Sequence, residues 1–432
     1  MNKILVVVSF VFVSFLSCTG LTDRQRLANQ ILSDTNLLKV DSMARATIRN
    51  GFNAGSGYSQ IWARDMNTFI EIACEESDPH ELREAILLFF ALQQPNDEMI
   101  DGYVLKEDFT WYDDTPCYSN AAPKHVAFKN TVETDQESSL IQIAGKYIRK
   151  TGDREILNEK VAGKTVLERM NAMVDYLMRE RYNEKYGLLY GATADWGDVQ
   201  PNDDFGCDMN ELSDPAIDVY DNAMFLIALD YLLEMAPDSP QAPRWRSLRE
   251  GIAKNVRTHL WDEKRQKFIP HIYPEKSPIP EGFDELAIHY HGGTAVAIEA
   301  GLLTEDEIRT VNAQMLENVR LSGMSSIGLT LYPVYPDGFF HGGMSKAYLY
   351  QNGGDWTWFG GRMIQQLVVN GMVEEAYAEI HPMIERVIQN NGFYEWYGKG
   401  GIPSGSGNFK GSAGVLSKAI ELLRDWAEKN KS

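Results

Sequence analysis

Residues 216–233 read AIDVYDNAMFLIALDYLL. Apolar side chains recur there at i, i+3 and i+4, the period of a helix that buries a face. The same period runs through 66–92, 138–149, 166–178, 364–369 and 413–426. It is weaker over 24–38, 244–260, 289–300, 305–319 and 373–388. Thr304 before Glu305-Asp306-Glu307 is an N-cap followed by an acidic first turn. Gly152 and Gly371 mark helix ends, and Pro215 sits near a helix start. Alternation of strand type is scarce: only 267–272 and 328–334 read as short hairpin arms. About eleven or twelve helices result, in roughly six pairs. Long loops at 51–64, 97–130, 187–214, 268–285, 323–355 and 392–411 separate them and are rich in Trp, Tyr, Asp, Gly and Pro. Long loops in compact proteins usually carry function. The pattern predicts an all-α toroid of six helical hairpins, an (α/α)6 arrangement, with minor short β-hairpins in loops that gather at one end. No sequence-level repeat accompanies it.

No Pro/Ser/Gly-rich linker divides the 432 residues, so one large architecture over 18–432 is expected. Before it, Lys3 and an apolar run from Ile4 to Leu16 make a signal peptide too short to span a bilayer. The run ends at Phe15-Leu16-Ser17-Cys18, which resembles a bacterial lipoprotein cleavage site. Residues 1–17 would be removed, leaving Cys18 lipidated on an exported, cell-envelope protein. Of the remaining cysteines, Cys74, Cys117 and Cys207, at least one must stay unpaired within the chain, and none has a zinc spacing. Buried free thiols are expected. The net charge of −20 argues against nucleic acid and, less strongly, against polyanionic substrates. No metal or other cofactor is predicted.

Two acidic-aromatic stretches carry the chemistry. Ala194-Asp195-Trp196-Gly197-Asp198 sets a Trp between two Asp in a Gly-bearing loop. A carboxyl beside an indole is desolvated, which raises its pKa and suits a general acid. Phe393-Tyr394-Glu395-Trp396-Tyr397 places one Glu among four aromatics before a Gly-rich segment. Aromatic faces stack on sugars, and two carboxylates flanking a glycosidic bond are the usual means of hydrolysing it. Trp356 and Trp358, within Asn352-Gly353-Gly354-Asp355-Trp356-Thr357-Trp358, suit a stacking floor. Trp62-Ala63-Arg64-Asp65 precedes an apolar helix. Arg64 and Asp65 can hold sugar hydroxyls by charge-assisted bonds, though an N-cap with an ion pair is the plainer reading. Glu133, Asp135 and Glu137 read as a first turn that complements the helix dipole. His289 and His291, at i and i+2, do not share a helix face and read as structural or substrate contacts.

In this order, the stretches resemble the six-hairpin α/α-toroid glycoside hydrolases: glucoamylase, amylo-α-1,6-glucosidase, neutral trehalase and alkaline/neutral invertase. Trp62 to Asp65 looks like their sugar-binding Arg-Asp loop. Asp195 to Asp198, followed by Asp221-Asn222-Ala223-Met224, resembles their general-acid loop and next inner helix. Residues 351–358 look like their Asn-Gly-Gly…Trp-Pro-Trp stretch, with Thr357 where Pro is common. Tyr394-Glu395-Trp396 is similar to the general-base segment. The resemblance implies an inverting hydrolase, exo-acting on an α-linked glucoside or related oligosaccharide. Asp195 or Asp198 would be the acid and Glu395 the base, with Trp62, Arg64, Asp65, Trp196, Trp356, Trp358 and Trp396 on the sugar. A phosphorylase on the same toroid, or a lipoprotein that binds glycans without catalysis, are the alternatives.

Overall fold

The computed structural model describes residues 21–110, 115–192, 197, 199–201 and 207–432. Thirteen α-helices occur among them: α1 (Asp23–Ser33), α2 (Thr35–Ile48), α3 (Ala63–Glu76), α4 (Pro79–Leu92), α5 (Gln136–Thr151), α6 (Val166–Glu180), α7 (Val219–Met235), α8 (Ala242–His259), α9 (His291–Glu299), α10 (Glu305–Ser322), α11 (Thr357–Val369), α12 (Val373–Asn390) and α13 (Lys410–Asn430). Helices α3, α5, α7, α9, α11 and α13 each pack on the next, and α13 returns onto α3, so six inner helices close a ring. Outside them lie α2, α4, α6, α8, α10 and α12, each paired with an inner neighbour. The fold is the (α/α)6 toroid that the loop spacing predicts, with α1 added against α13.

Side-chain distribution explains which helix goes where. Outer helices are amphipathic: α6 buries Val166, Met170, Met173, Val174 and Leu177, a single stripe, and α8 buries Trp245, Ile252 and Val256. Inner helices are enclosed on nearly every side. Helix α7 buries Tyr220, Ala223 to Leu229 and Leu232 around its whole circumference. Each large apolar side chain so enclosed contributes about 1.5–3 kcal/mol.

Two periodic segments turn out to be two helices each. The run 66–92 is broken at Asp78, whose carboxylate accepts from His80 and Glu81 N–H while Pro79 takes the first helical position. The run 24–38 is broken at Asp34, which accepts from Asn36 and Leu37 N–H. Gly152 ends α5 in the left-handed conformation (φ 76°), and Thr304 forms a reciprocal capping box with Glu307. Of the expected hairpin arms, Lys267–Phe268 pairs with Trp261–Asp262, and Leu331–Tyr332 pairs with His289–Tyr290. The loop before α5 also holds what alternation did not predict: an antiparallel sheet in which Gly102–Leu105 lies between Ile61–Trp62 and His125–Lys129, with Thr115–Cys117 at the edge. Cys74 and Cys117 are half-buried free thiols, and Cys207 is buried.

At the ring's last joint two backbones come into close contact. A Cβ on Gly414 of α13 would sit 2.4 Å from Phe69 Cβ, 2.6 Å from its Cα and 2.8 Å from the Thr68 carbonyl. Backbone cannot yield as a flexible side chain can. Gly414→Ala is therefore expected to cost about 1–3 kcal/mol in urea unfolding. Gly251→Ala, where a Cβ meets nothing within 4 Å on outer helix α8, should be neutral or stabilising by up to about 1 kcal/mol.

Candidate active site

Because every hairpin runs from outer to inner helix, the six inner N-termini face one end of the ring. The connections 49–62, 93–135, 181–218, 260–290, 323–356 and 391–409 all lead into them, whereas those at the other end are short except for 152–165. Six helix N-termini bring a positive partial charge to this mouth, which favours carboxylates there. Asp65 on α3, Glu133 and Asp135 before α5, and Asp218 and Asp221 at α7 occupy it.

Arg64 forms the centre of the first cluster. Its Nε donates to Asp135 Oδ2 at 2.6 Å and its Nη2 to Asp135 Oδ1 at 2.8 Å, a bidentate pair. Nη2 also donates to Glu133. Tyr220 Oη adds a bond to Asp135 Oδ2 at 2.6 Å. Burial alone would raise the Asp135 carboxyl, but Arg64 and Tyr220 hold it below the usual carboxylate range. The acids read as an acidic first turn thus do more than complement a dipole: they absorb the guanidinium beside them. Glu137, the third, accepts the Met99 N–H at 2.8 Å.

Asp65 is in the opposite situation. Burial pushes its carboxyl up to about 7 against the pull of Arg64, and Asp135 adds to the rise. Lys410, whose Nζ donates to Asn53 O at 2.8 Å and Oδ1 at 2.7 Å, is pulled down to about 8 by burial against the attraction of Asp65. A carboxyl and an amine that both titrate near neutrality therefore face each other at the α3–α13 joint.

Glu395 lies in the strand Tyr394–Gly398, which pairs with Ile402–Gly407 just before α13. It is 5 % exposed. Tyr58 Oη donates to its Oε1 and Oε2 at 3.1 and 3.2 Å, and the Ser406 N–H donates to Oε2 at 2.8 Å. Gly405 permits this: it holds φ +69°, and a Cβ there would fall 2.5 Å from Glu395 Oε2. The Tyr58 loop belongs to the first hairpin and Glu395 to the last, so this bond also spans the ring's closure. Tyr58 and Ser406 carry no signal in the sequence, since each reaches Glu395 only through the fold.

The tryptophans divide into groups. Trp358 is 4 % exposed; its ring lies 6.5 Å from that of Tyr220, and Arg362 stands 5.6 Å over it. A Cβ on Gly411 would be 3.1 Å from Asp65 Oδ1 and 3.2 Å from Trp358 Cδ1, so Trp358 and Asp65 meet across that glycine. Trp356, 5 % exposed, contacts Tyr350 edge-on at 5.1 Å, and Trp396 contacts the same tyrosine at 6.4 Å. Trp62 stands apart, paired across strands with Gly102 and 5.6 Å from the Phe128 ring. Asp355 is 2.8 Å from Arg386 and accepts from Ser326. His291 is buried against Asn318 at 3.0 Å. Burial pushes His291 down to about 3 and His289 to about 4. Residues 1–20, Asp195, Trp196 and Asp198 lie outside the described residues.

A second buried group has no counterpart in the sequence motifs. Glu285 accepts from Tyr335 Oη at 2.6 Å and Tyr273 Oη at 2.7 Å, with His271 Nδ1 at 2.9 Å. Its members come from two connections, 260–290 and 323–356. Among the described residues no set of three or more His, Cys, Asp or Glu gathers in a metal-binding arrangement.

No protein-family model matches the chain, and no curated protein matches it. Solved structures do. A GH63 mannosylglycerate hydrolase from Thermus thermophilus superposes with a TM-score of 0.63 over 88 % of this chain and 99 % of its own, at 14 % identity. The same enzyme with glucose bound gives 0.61. The rhamnosidase from Klebsiella oxytoca, with rhamnose bound, gives 0.57 over 89 % of this chain and 63 % of its own, at 13 % identity. The fold is that of the six-hairpin toroid glycosidases. At such identities the likeness is one of architecture.

The Arg64 cluster makes a sharp prediction. Removing the guanidinium leaves two enclosed carboxylates uncompensated, so Arg64→Met should lose about 3–5 kcal/mol at neutral pH by urea unfolding. A carboxyl held below its ordinary value stabilises the fold above that value, and the contribution is lost as pH falls through the folded one. The gap between wild type and Arg64→Met should accordingly narrow below about pH 4, near the ordinary carboxylate value. A gap independent of pH would contradict the cluster.

Proposed function

We propose that this chain is a glycoside hydrolase working at the mouth of the ring by inversion, with Glu395 as general base and Asp195 or Asp198 as general acid. The observation that carries the reading is the seat of Glu395: an enclosed carboxylate, oriented by Tyr58 and the Ser406 N–H, where six inner helices begin. A base must be fixed relative to the sugar face it serves, and two donors from opposite sides of the ring closure supply that. In the proposed reaction Glu395 takes a proton from water as the water oxygen bonds the anomeric carbon. The acid protonates the glycosidic oxygen as the old C–O bond breaks. The two carboxyl groups would stand about 6.5–9.5 Å apart to leave room for that water.

Tyr350 and Trp396, both half-buried, supply faces for sugar rings, with Trp356 packed behind Tyr350. The charge of Arg64 is balanced by two acids through Nε and Nη2, which leaves Nη1 to donate to a sugar hydroxyl and Asp65 to accept from one. The carbohydrate enzymes that share the fold support hydrolysis as the activity. An α-linked glucoside or related oligosaccharide, attacked from its end, is the proposed substrate. The acid balance of the mouth fits an uncharged sugar. We further propose that residues 18–432 form one catalytic unit, exported and held at the cell envelope through a lipid on Cys18.

Glu395→Gln should reduce kcat on a cleavable glycoside by at least about a thousandfold while leaving the unfolding midpoint unchanged; general-base contributions of 10²–10⁴ are typical. Tyr58→Phe should lower kcat/KM roughly 10–100-fold, the value of one bond to a charged acceptor. Wild-type turnover in Glu395→Gln would remove Glu395 from the mechanism. Product release that requires phosphate, and that yields a sugar phosphate, would make the enzyme a phosphorylase.

A further inference from the structure

Outside the ring, between α10 and the hairpin of Trp261–Asp262 with Lys267–Phe268, lies an open groove of about 840 Å³. Its lining includes Arg265, Lys267, His289, Arg309, Gln314 and Asn318. Three cations on one groove are unexpected in a protein of net charge −20.

Lys267 is the informative one. It is 3 % exposed, yet among the described residues its ammonium has no carboxylate partner. Its one hydrogen bond there goes to the Ile288 carbonyl, while an ammonium carries three protons. A buried charge ordinarily has an ion partner. Burial, then the repulsion of Arg265, depress Lys267 to about 8 against the more distant attraction of Asp262, Asp284 and Glu285, and Lys267 in turn adds to the depression of His289. Arg265 and Arg309 stand at the rim, 47 % and 53 % exposed, each spanning only a surface pair, to Asp262 at 2.8 Å and Glu375 at 3.3 Å. Such pairs are weak and exchange readily. The acid in the lining, Glu317, is held by Arg320 at 2.6 and 2.7 Å.

We propose that this groove binds an oxyanion, the phosphate or carboxylate group of a small ligand, at a site separate from the ring's mouth. The Lys267 ammonium forms the floor and donates its remaining protons to the anion. Arg265 and Arg309 close over it from the rim, where a guanidinium can offer two parallel donors. The ligand completes a charge balance that the protein leaves open.

The test is calorimetric titration of the full chain with inorganic phosphate and, in a second arm, with D-glucuronate. The expected result is saturable one-to-one binding of at least one of them, weakened at least tenfold in both Lys267→Met and Arg309→Gln. Arg244→Gln, a surface arginine of α8, should leave affinity unchanged. Glu395→Gln should too, which separates this site from the proposed catalytic one. Preference for one arm identifies the source of the oxyanion. Because Lys267 is enclosed, circular dichroism must show its variant folded; Arg309, exposed at the rim, gives the same answer without that concern. The proposal is overturned by absence of saturable binding in both arms, by binding that survives Arg309→Gln unchanged, or by binding that Glu395→Gln abolishes.

Discussion

A ring of six helices exists only if the last can lie against the first. That contact, α13 on α3, leaves little freedom: at Gly414 the two backbones approach so closely that no side chain fits between them. Everything at the mouth is referred to this joint. Lys410 and Gly411 begin α13, and Asp65 lies in the first turn of α3. Glu395 sits in the strand just before α13, and Tyr58 in the loop just before α3. The closure that completes the hydrophobic core therefore also brings Tyr58 and Glu395, from the first and last hairpins, within hydrogen-bonding distance. A change that opens the joint by a fraction of an ångström would separate Tyr58 from Glu395 before it unfolded anything.

Much of the architecture was legible in advance because it follows from local rules. Helical period, caps such as Thr304 and stops such as Gly152 act within a few residues, and the sequence displays them directly. The long loops at intervals pointed to helical hairpins whose loops gather at one end. What local rules could not supply is equally specific. Asp78 and Asp34 each begin a new helix inside an unbroken apolar period, and only the turn geometry reveals the break. The sheet around Gly102–Leu105 consists of strands too short to display alternation. At the mouth, Glu395 was identifiable by its aromatic company. Its partners Tyr58 and Ser406 were not, because an ordinary Tyr and an ordinary Ser gain meaning only from the fold. Arg64 was identifiable as a point of charge, but that Glu133 and Asp135 consume this charge is a long-range fact.

The acids at the mouth occupy environments that push them in different directions. Asp135, under Arg64 and Tyr220, is held ionised, whereas Asp65, with its cation already claimed by others, is pushed towards neutrality. The distinction arises from one side chain, Arg64, whose two-pronged geometry commits it to Asp135 and Glu133. A lysine could not impose it, since an ammonium has no fixed fork and would be shared among the three carboxylates. Groups whose values are driven apart by a common neighbour are a recurrent mark of acid–base sites.

The interior of the ring, below the mouth, is built on the contrary principle. Lys146 of α5 donates at 2.9 Å to both Asn67 O and Asn67 Oδ1 on α3, and Arg362 of α11 holds Glu299 of α9 at 2.7 and 3.1 Å. Burial lowers Lys146 to about 8 while Glu299 and Glu71 pull it upward, and Glu299 in turn is kept below the usual range by Arg362 and Lys146 against its own burial. Charges from four of the six inner helices thus compensate one another within the ring. Apolar side chains would close that space as well, but they would not fix which helices face each other, whereas each of these pairs tolerates a single partner at a single distance. Breaking one would strand a charge, so the polar interior holds the helices in register beneath the mouth.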